Sequence, residues 1–137
     1  MKRAILIIAA IVLLGGVIHI GLGLAHALLV SGLTLDVLWF TSAGLALICI
    51  ACINYLVITI VPGQTRFFVP GHITNILGSI LLGLILLKLP APHVALLFIL
   101  LVAETVLIIW SHIKAVHPSA SKNRKALSSA SLPISER

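Results

Sequence analysis

The stretch AILIIAAIVLLGGVIHIGLGLAHALLV, residues 4–30, decides the fold class of this chain. It contains no Asp, Glu, Lys or Arg, and its most polar side chains are those of His19 and His26. A helix needs about 20 consecutive apolar residues to cross the hydrocarbon core of a bilayer. The apolar core of a cleaved signal peptide is shorter, about 7–15 residues. We therefore expect residues 4–29 to form a first membrane-spanning helix that is not removed.

Composition extends this interpretation to the whole chain. Hydrophobic residues make up 61% of the 137 positions and charged residues 9%, with a mean hydropathy of +1.27. Soluble domains are about a quarter charged, so the composition excludes an ordinary soluble protein. The net charge of +6 comes from basic residues at the ends of apolar segments and in the C-terminal tail, so we expect no nucleic-acid partner.

Three further apolar segments follow the first, and turn-forming residues separate them. Ser31-Gly32, Pro62-Gly63 and Pro90-Ala91-Pro92 interrupt the apolar pattern, since proline and glycine end helices. The sequence predicts an all-α integral membrane four-helix bundle in residues 1–117 and a flexible, basic, Ser-rich tail in 118–137. The four predicted spans are 4–29, 37–60, 71–89 and 93–113.

The distribution of basic residues predicts the orientation. An even number of spans puts both termini on one side of the membrane, and cytoplasmic segments are enriched in Lys and Arg. The side that holds the termini carries Lys2, Arg3, Arg66, Lys114, Lys122, Arg124, Lys125 and Arg137, whereas the other side carries only Lys88. We expect a bacterial-type inner-membrane protein with both termini in the cytoplasm.

Each predicted span places its polar and small residues on one helical face. Residues three, four, seven or eleven positions apart share a face, and lipid cannot satisfy their polar groups. We therefore expect a polar seam inside the bundle, at three depths. The outer level holds His26, Asp36 and His93; the middle level holds His19, Ser79 and Glu104; the inner level holds Asn54, His72, Asn75 and Ser111, with His112 and His117 nearby.

Glu104 is the sharpest candidate, because it is the only acidic residue inside a span. An ionised carboxylate in the membrane is costly and must be protonated, paired or hydrated. We expect it to pair with His19 or Ser79, and we assign proton or ligand handling to Glu104, His19, Ser79, Asn75 and Asn54. The alternative is a neutral Glu104 that only joins helices by hydrogen bonds.

The outer level suggests a second kind of site. His26, Asp36 and His93 are the ligand types that zinc or copper prefers, and His26 with His93 could hold a haem between two helices. Cys49 and Cys52 form a C-x-x-C pattern, but they lie on the face of the second span opposite Asp36 and Asn54, so we interpret them as packing residues.

The segment LWFTSAGLALICIACINYL, residues 38–56, resembles a pattern in small uncharacterised bacterial four-span integral membrane proteins. The matching residues are Leu38, Trp39, Phe40, Gly44, Leu45, Ala46, Leu47 and Asn54. The resemblance covers one span of four. It implies an inner-membrane protein of similar layout and carries no activity with it.

These observations favour a binding or transport-type role for a small ligand, ion or proton. One alternative is a non-catalytic accessory or assembly subunit of a larger membrane complex or a homo-oligomer; another is a haem- or metal-binding redox protein. We expect no enzymatic activity, because the loops are too short for a catalytic domain. The expected partner is the lipid bilayer, and we expect no cofactor unless the haem or metal alternative holds.

Overall fold

A computed structural model describes residues 1–59, 66 and 68–116 of the chain. It contains four long helices: α1 (Lys2–His26), which continues as a short π-helix (Ala27–Ser31), α2 (Leu35–Thr59), α3 (Phe68–Lys88) and α4 (Pro92–Val116). All four are long and apolar enough to cross a membrane. The predicted all-α four-helix bundle is confirmed. The predicted stop at Pro62-Gly63, residue His117 and the tail 118–137 lie outside the described residues.

The turn between α1 and α2 is made by Gly32 and Thr34. Gly32 has a φ of 67°, a left-handed conformation that glycine adopts without steric cost. The hydroxyl of Thr34 then accepts a hydrogen bond of 3.4 Å from the backbone N–H of Val37. Thr34 therefore provides the N-cap contact, whereas Asp36 lies inside the first turn of α2, where a negative charge is favourable.

Prolines set the start of α3 and α4 in different ways. Pro92 is the first residue of α4, a position where proline loses no helical hydrogen bond, and the short connection at 89–91 is as predicted. By contrast, α3 begins at Phe68, three residues before the predicted start of the third span at Gly71. Pro70 is tolerated there because the first-turn N–H groups of a helix have no internal partner.

The α1–α2 pair is closely packed through two glycines. A methyl group added to Gly16 would lie 2.7 Å from the carbonyl oxygen of Gly44, and one added to Gly44 would lie 2.7 Å from the carbonyl oxygen of Gly16. Small residues at such crossings let membrane helices approach backbone to backbone. This contact fixes the register of the two helices.

The two hairpins have unequal heights. His19 and Gly15 of α1 lie level with His93 and Leu97 near the start of α4. From His19, α1 and its π-helical extension continue to Ser31, about 18 Å further at 1.5 Å per residue. The α1–α2 hairpin therefore extends well beyond the α3–α4 hairpin, and Leu28 and Leu29 near its tip are 84% and 83% exposed.

Below, the hairpin end is the end of the bundle that carries Gly32 and Ala91, and the termini end is the opposite end, which carries Met1. Trp39 and Trp110 are exposed near opposite ends, as expected for aromatic residues at the two membrane interfaces.

Candidate functional site

A fully buried polar centre joins α2, α3 and α4. The side chains of Asn54, Asn75 and Glu104 are each 0% exposed. The two asparagines bond reciprocally: Asn54 Nδ2 donates to Asn75 Oδ1 at 3.0 Å, and Asn75 Nδ2 donates to Asn54 Oδ1 at 2.7 Å. Asn75 Nδ2 also donates to the carbonyl oxygen of Gly71 at 2.7 Å. The pair ties α2 to α3, and each of its side-chain oxygens and nitrogens takes part in at least one hydrogen bond.

Glu104 differs from these asparagines, because its carboxyl oxygens have no hydrogen-bond partner within the described residues. The side chain of Asn54 is its polar neighbour, yet neither carboxyl oxygen forms a contact with hydrogen-bond geometry. Buried polar groups are normally hydrogen-bonded, and leaving one unpaired costs about 1–3 kcal/mol. Periodicity correctly predicted that Glu104 faces the interior. The carboxyl group is therefore a buried polar group without a hydrogen bond of good geometry among the described residues.

Ser79 adds a second unpartnered group to the interior. It lies one helical turn from Asn75 on α3, and its hydroxyl oxygen is buried with no hydrogen-bond partner. No hydrogen bond joins it to Glu104 among the described residues. The predicted Glu104–Ser79 bond is therefore absent here, and Asn54 takes the place of Ser79 beside the carboxyl group.

Apolar layers close the centre on both sides along the bundle axis. Toward the hairpin end, Val12, Leu47 and Ala51 form a buried cluster with Ile8, Leu97 and Leu100 packed against it. Toward the termini end, a second cluster contains Ile5, Val57, Ile58, Phe68 and Ile108. Along α4, Glu104 lies between Leu100 and Ile108, one turn from each. The carboxyl group thus lies between two apolar layers along the bundle axis.

His19 lies in the hairpin half, away from Glu104. Its ring stacks on Phe40 with a centroid distance of 4.1 Å and lies 6.4 Å from the ring of His93. Glu104 is eleven residues beyond His93 on α4, about 16 Å along the axis. The predicted Glu104–His19 pair is wrong, because depths counted from the span ends assumed that the spans start level, whereas α1 extends past the start of α4.

A histidine pair occupies the termini end. His72 Nε2 lies 2.9 Å from His112 Nδ1, which is hydrogen-bonding distance between the rings of α3 and α4. Phe68 stacks on His112 with a centroid distance of 4.6 Å and an interplanar angle of 5°. Phe68 is buried and belongs to α3, although it precedes the predicted third span, which starts at residue 71. The other ring nitrogen of His72, Nδ1, is buried and has no hydrogen-bond partner among the described residues.

The predicted metal set is not assembled. His26 and Asp36 line one cavity of about 530 Å³ between the hairpin ends of α1 and α2, but His93 lies beside His19 instead. Within residues 1–59, 66 and 68–116, no group of three His, Cys, Asp or Glu side chains is placed to hold a metal ion. The pairing of His26 with His93 around a haem fails for the same reason, since His26 is seven residues, about 10 Å, beyond His19 on α1.

The cysteines lie outside the polar centre. Cys49 and Cys52 are unpaired and exposed on the outer face of α2, whereas Asn54 on the same helix is buried. Their predicted placement on the opposite face is confirmed.

Comparison of the chain with protein-family models, with curated proteins and with solved structures found no match.

Proposed function

We propose that this chain is a non-enzymatic, multi-pass inner-membrane protein that binds and carries a proton or a small ion through the centre formed by Asn54, Asn75 and Glu104. The observation that carries this proposal is a fully buried carboxyl group with two unpartnered oxygens. Ionisable residues inside a membrane are rare, costly and usually functional.

The contrast with the asparagines argues against a purely structural role for Glu104. A residue that only joins helices gains by bonding to its neighbours, as Asn54 and Asn75 do through two mutual hydrogen bonds. The carboxyl group of Glu104 lies beside the side chain of Asn54, yet among the described residues its oxygens form no hydrogen bond of good geometry. A carboxyl group held without a partner between two apolar layers suits intermittent binding of a proton or a cation, with the layers acting as barriers on either side.

The proposed orientation has both termini in the cytoplasm. Among the described basic residues, Lys2, Arg3, Arg66 and Lys114 belong to the termini end and Lys88 to the hairpin end. Cytoplasmic segments carry the excess of Lys and Arg. Reporter fusions after Gly32 and after Ala91 should therefore be external, and a fusion at the C-terminus should be cytoplasmic. A cytoplasmic reporter after Ala91 would contradict the four-span topology.

One observation favours a second candidate, an accessory subunit of a homo-oligomer or a larger membrane complex. The α1–α2 hairpin extends beyond the α3–α4 hairpin and exposes leucines near its tip. Exposed apolar surface at this level suits contact with another membrane protein. Under this alternative, cross-linking in the membrane should capture a specific partner, and substitution of Glu104 should leave ion movement unaffected.

The deciding experiment measures ion uptake into liposomes that contain the purified protein. Separate gradients of H⁺, Na⁺ and K⁺ are imposed, with the membrane potential clamped by an ionophore. Glu104→Gln keeps the shape and hydrogen-bonding capacity of the side chain but removes its ionisation, so uptake should be lost while the fold is kept. Asp36→Asn is the matched control, because it removes the carboxylate of an exposed residue at the hairpin end, and its uptake should equal that of the unaltered protein. Full uptake by Glu104→Gln, or none by the unaltered protein, would overturn the proposal.

A further inference from the structure

The arrangement of titratable groups on the termini side of Glu104 identifies both the species carried and its entry route. We infer, resting on the proposed function, that the carried species is the proton and that the His72–His112 pair passes it between the cytoplasm and Glu104.

The ligands around Glu104 do not suit a metal cation. Calcium takes six to eight oxygen ligands, and magnesium requires octahedral coordination. Here the side-chain oxygens of Asn54 and Asn75 already accept hydrogen bonds from each other. Among the described residues, the unengaged buried oxygens are the two of Glu104 and the hydroxyl of Ser79, three in all and fewer than either ion needs. A proton needs one of those oxygens and no further ligand.

The two histidines have the geometry of a proton wire rather than of a metal site. A protein metal site normally has three or four protein ligands, and in the part of the chain that the structure describes no third His, Cys, Asp or Glu joins His72 and His112. The 2.9 Å separation between His72 Nε2 and His112 Nδ1 is a normal hydrogen bond. Stacking of Phe68 on His112 holds the ring of His112 in place.

The two histidines differ in burial and in their distance along the helices from the polar centre. His112 is half-buried near the termini end of α4, whereas His72 Nδ1 is buried and, in the part of the chain that the structure describes, has no partner. His72 also lies one turn from Asn75 on the same face of α3, since residues three apart are neighbours on a helix. Asn75 in turn bonds to Asn54, the neighbour of Glu104. The pair therefore connects the termini end with the buried centre.

The transfer is balanced in protons and charge. It begins with a neutral His112 whose Nδ1–H donates to Nε2 of a neutral His72. Hydronium from the cytoplasm protonates His112 at Nε2 and leaves water; the Nδ1 proton of His112 then moves to Nε2 of His72. His72, now cationic, releases its Nδ1 proton through transient water to the Glu104 carboxylate. Both imidazoles end neutral and the carboxyl group ends as the neutral acid.

Few other ionisable groups are available to replace this route. Within residues 1–59, 66 and 68–116, α1 and α2 contribute no Asp, Glu or His at this end of the bundle. The charged residues there are Lys2 and Arg3 at the start of α1 and Arg66 before α3. On α3 and α4, the other described charged residues are Lys88 at the far end and Lys114, whose ammonium lies 5.3 Å from the ring centre of Trp110.

The test compares proton uptake by liposomes containing His72→Gln, His112→Gln or the control His26→Gln, with folding checked by circular dichroism. His26 is exposed on the α1–α2 hairpin, so its variant should take up protons at the unaltered rate. A positioned acid–base group contributes roughly 10²-fold or more to a proton-transfer rate, so each of the other two variants should lose at least a factor of about ten. Imidazole added on the cytoplasmic side should restore part of the lost rate, which it would not do if the histidines were only structural.

The results of this experiment distinguish a failure of the proton wire from a failure of the proposed function. Unaltered proton uptake in both His72→Gln and His112→Gln, with Glu104→Gln inactive, would overturn the wire and leave the proposed function standing. Uptake of Na⁺ or K⁺ that depends on Glu104 would do the same, whereas no ion uptake at all would overturn both. If the variants do not fold, ¹⁵N NMR of the unaltered protein in bilayers decides: a hydrogen-bond coupling between the His72 and His112 rings is expected, and its absence contradicts the wire.

Discussion

The contact between Gly16 and Gly44 provides the most direct test of the packing. In Gly44→Ala, the added methyl group would lie 2.7 Å from the carbonyl oxygen of Gly16, 2.9 Å from the β-carbon of His19 and 2.9 Å from Ile20 Cγ1. Ordinary contact begins near 3.4 Å, so α1 and α2 must separate by about 0.7 Å at this point. Two of the three obstacles are a backbone oxygen and a β-carbon, which cannot turn away as the end of a flexible side chain can.

The magnitude is obtained by comparison with Gly21→Ala. A methyl group on Gly21 meets nothing within 4 Å, and alanine is favoured over glycine inside a helix by roughly 0.5–1 kcal/mol. That gain is common to both substitutions, so the difference between the variants isolates the steric cost. Overpacking in a closely packed interior costs about 1–3 kcal/mol. Gly44→Ala should therefore be less stable than Gly21→Ala by about that amount.

The assay is reversible unfolding of both variants in mixed micelles, followed by far-ultraviolet circular dichroism as the fraction of denaturing detergent increases. Equal free energies of unfolding for the two variants, or a more stable Gly44→Ala, would refute the backbone contact between α1 and α2.

Three further predictions concern single features of the bundle. In a double-mutant cycle with Asn54→Ala and Asn75→Ala, the coupling energy should be about 1–3 kcal/mol, because the pair shares two hydrogen bonds and intramembrane bonds contribute about 0.6–1.7 kcal/mol each; a coupling near zero would contradict the pairing. Replacing Cys49 and Cys52 by Ala should leave both the midpoint of unfolding and ion uptake unchanged, since both side chains are exposed, and a loss of uptake would show that they belong to the site. Thr34→Ala should lower the free energy of unfolding by about 0.5–2 kcal/mol through loss of the N-cap contact, whereas Thr34→Ser should not, and equal losses in both would contradict the cap.

Sequence periodicity correctly predicted that Asn54, Asn75 and Glu104 point inward. It was wrong for the outer level of the predicted seam, because His26, Asp36 and His93 are exposed, and it did not predict which side chains meet. The inward direction of Glu104 and Asn54 follows from the need to remove polar groups from lipid, which applies to every helix separately. Contacts between helices depend on how far each helix is shifted along the bundle axis. A uniformly apolar sequence contains few features that fix this shift. For that reason Glu104 was matched to His19 rather than to Asn54, and His93 to His26 rather than to His19.

The contact between His72 and His112 illustrates the same limit. Both residues were expected at the same end of the bundle, which the structure confirms. The stacking of Phe68 was not foreseeable from the pattern, because Pro70 and Gly71 suggested that Phe68 precedes the helix. Proline is tolerated in the first turn of a helix, so the sequence also allows α3 to start before Pro70. Because α3 does start at Phe68, the Phe68 ring can stack on His112.

The unequal heights of the two hairpins make the protein sensitive to bilayer thickness. The four helices are side by side only between the start of α1 and the level of His93, about 27 Å at 1.5 Å per residue, close to the thickness of a hydrocarbon core. Beyond that level the leucines of the taller hairpin reach past the shorter one. A flat bilayer cannot match both, so the helices must tilt or the neighbouring lipids must stretch, at fractions of a kcal/mol per ångström of mismatch. Thicker bilayers reduce the mismatch at the α1–α2 hairpin, and thinner bilayers reduce it at the α3–α4 hairpin. Lipid chain length should therefore change the relative stability of the two hairpins.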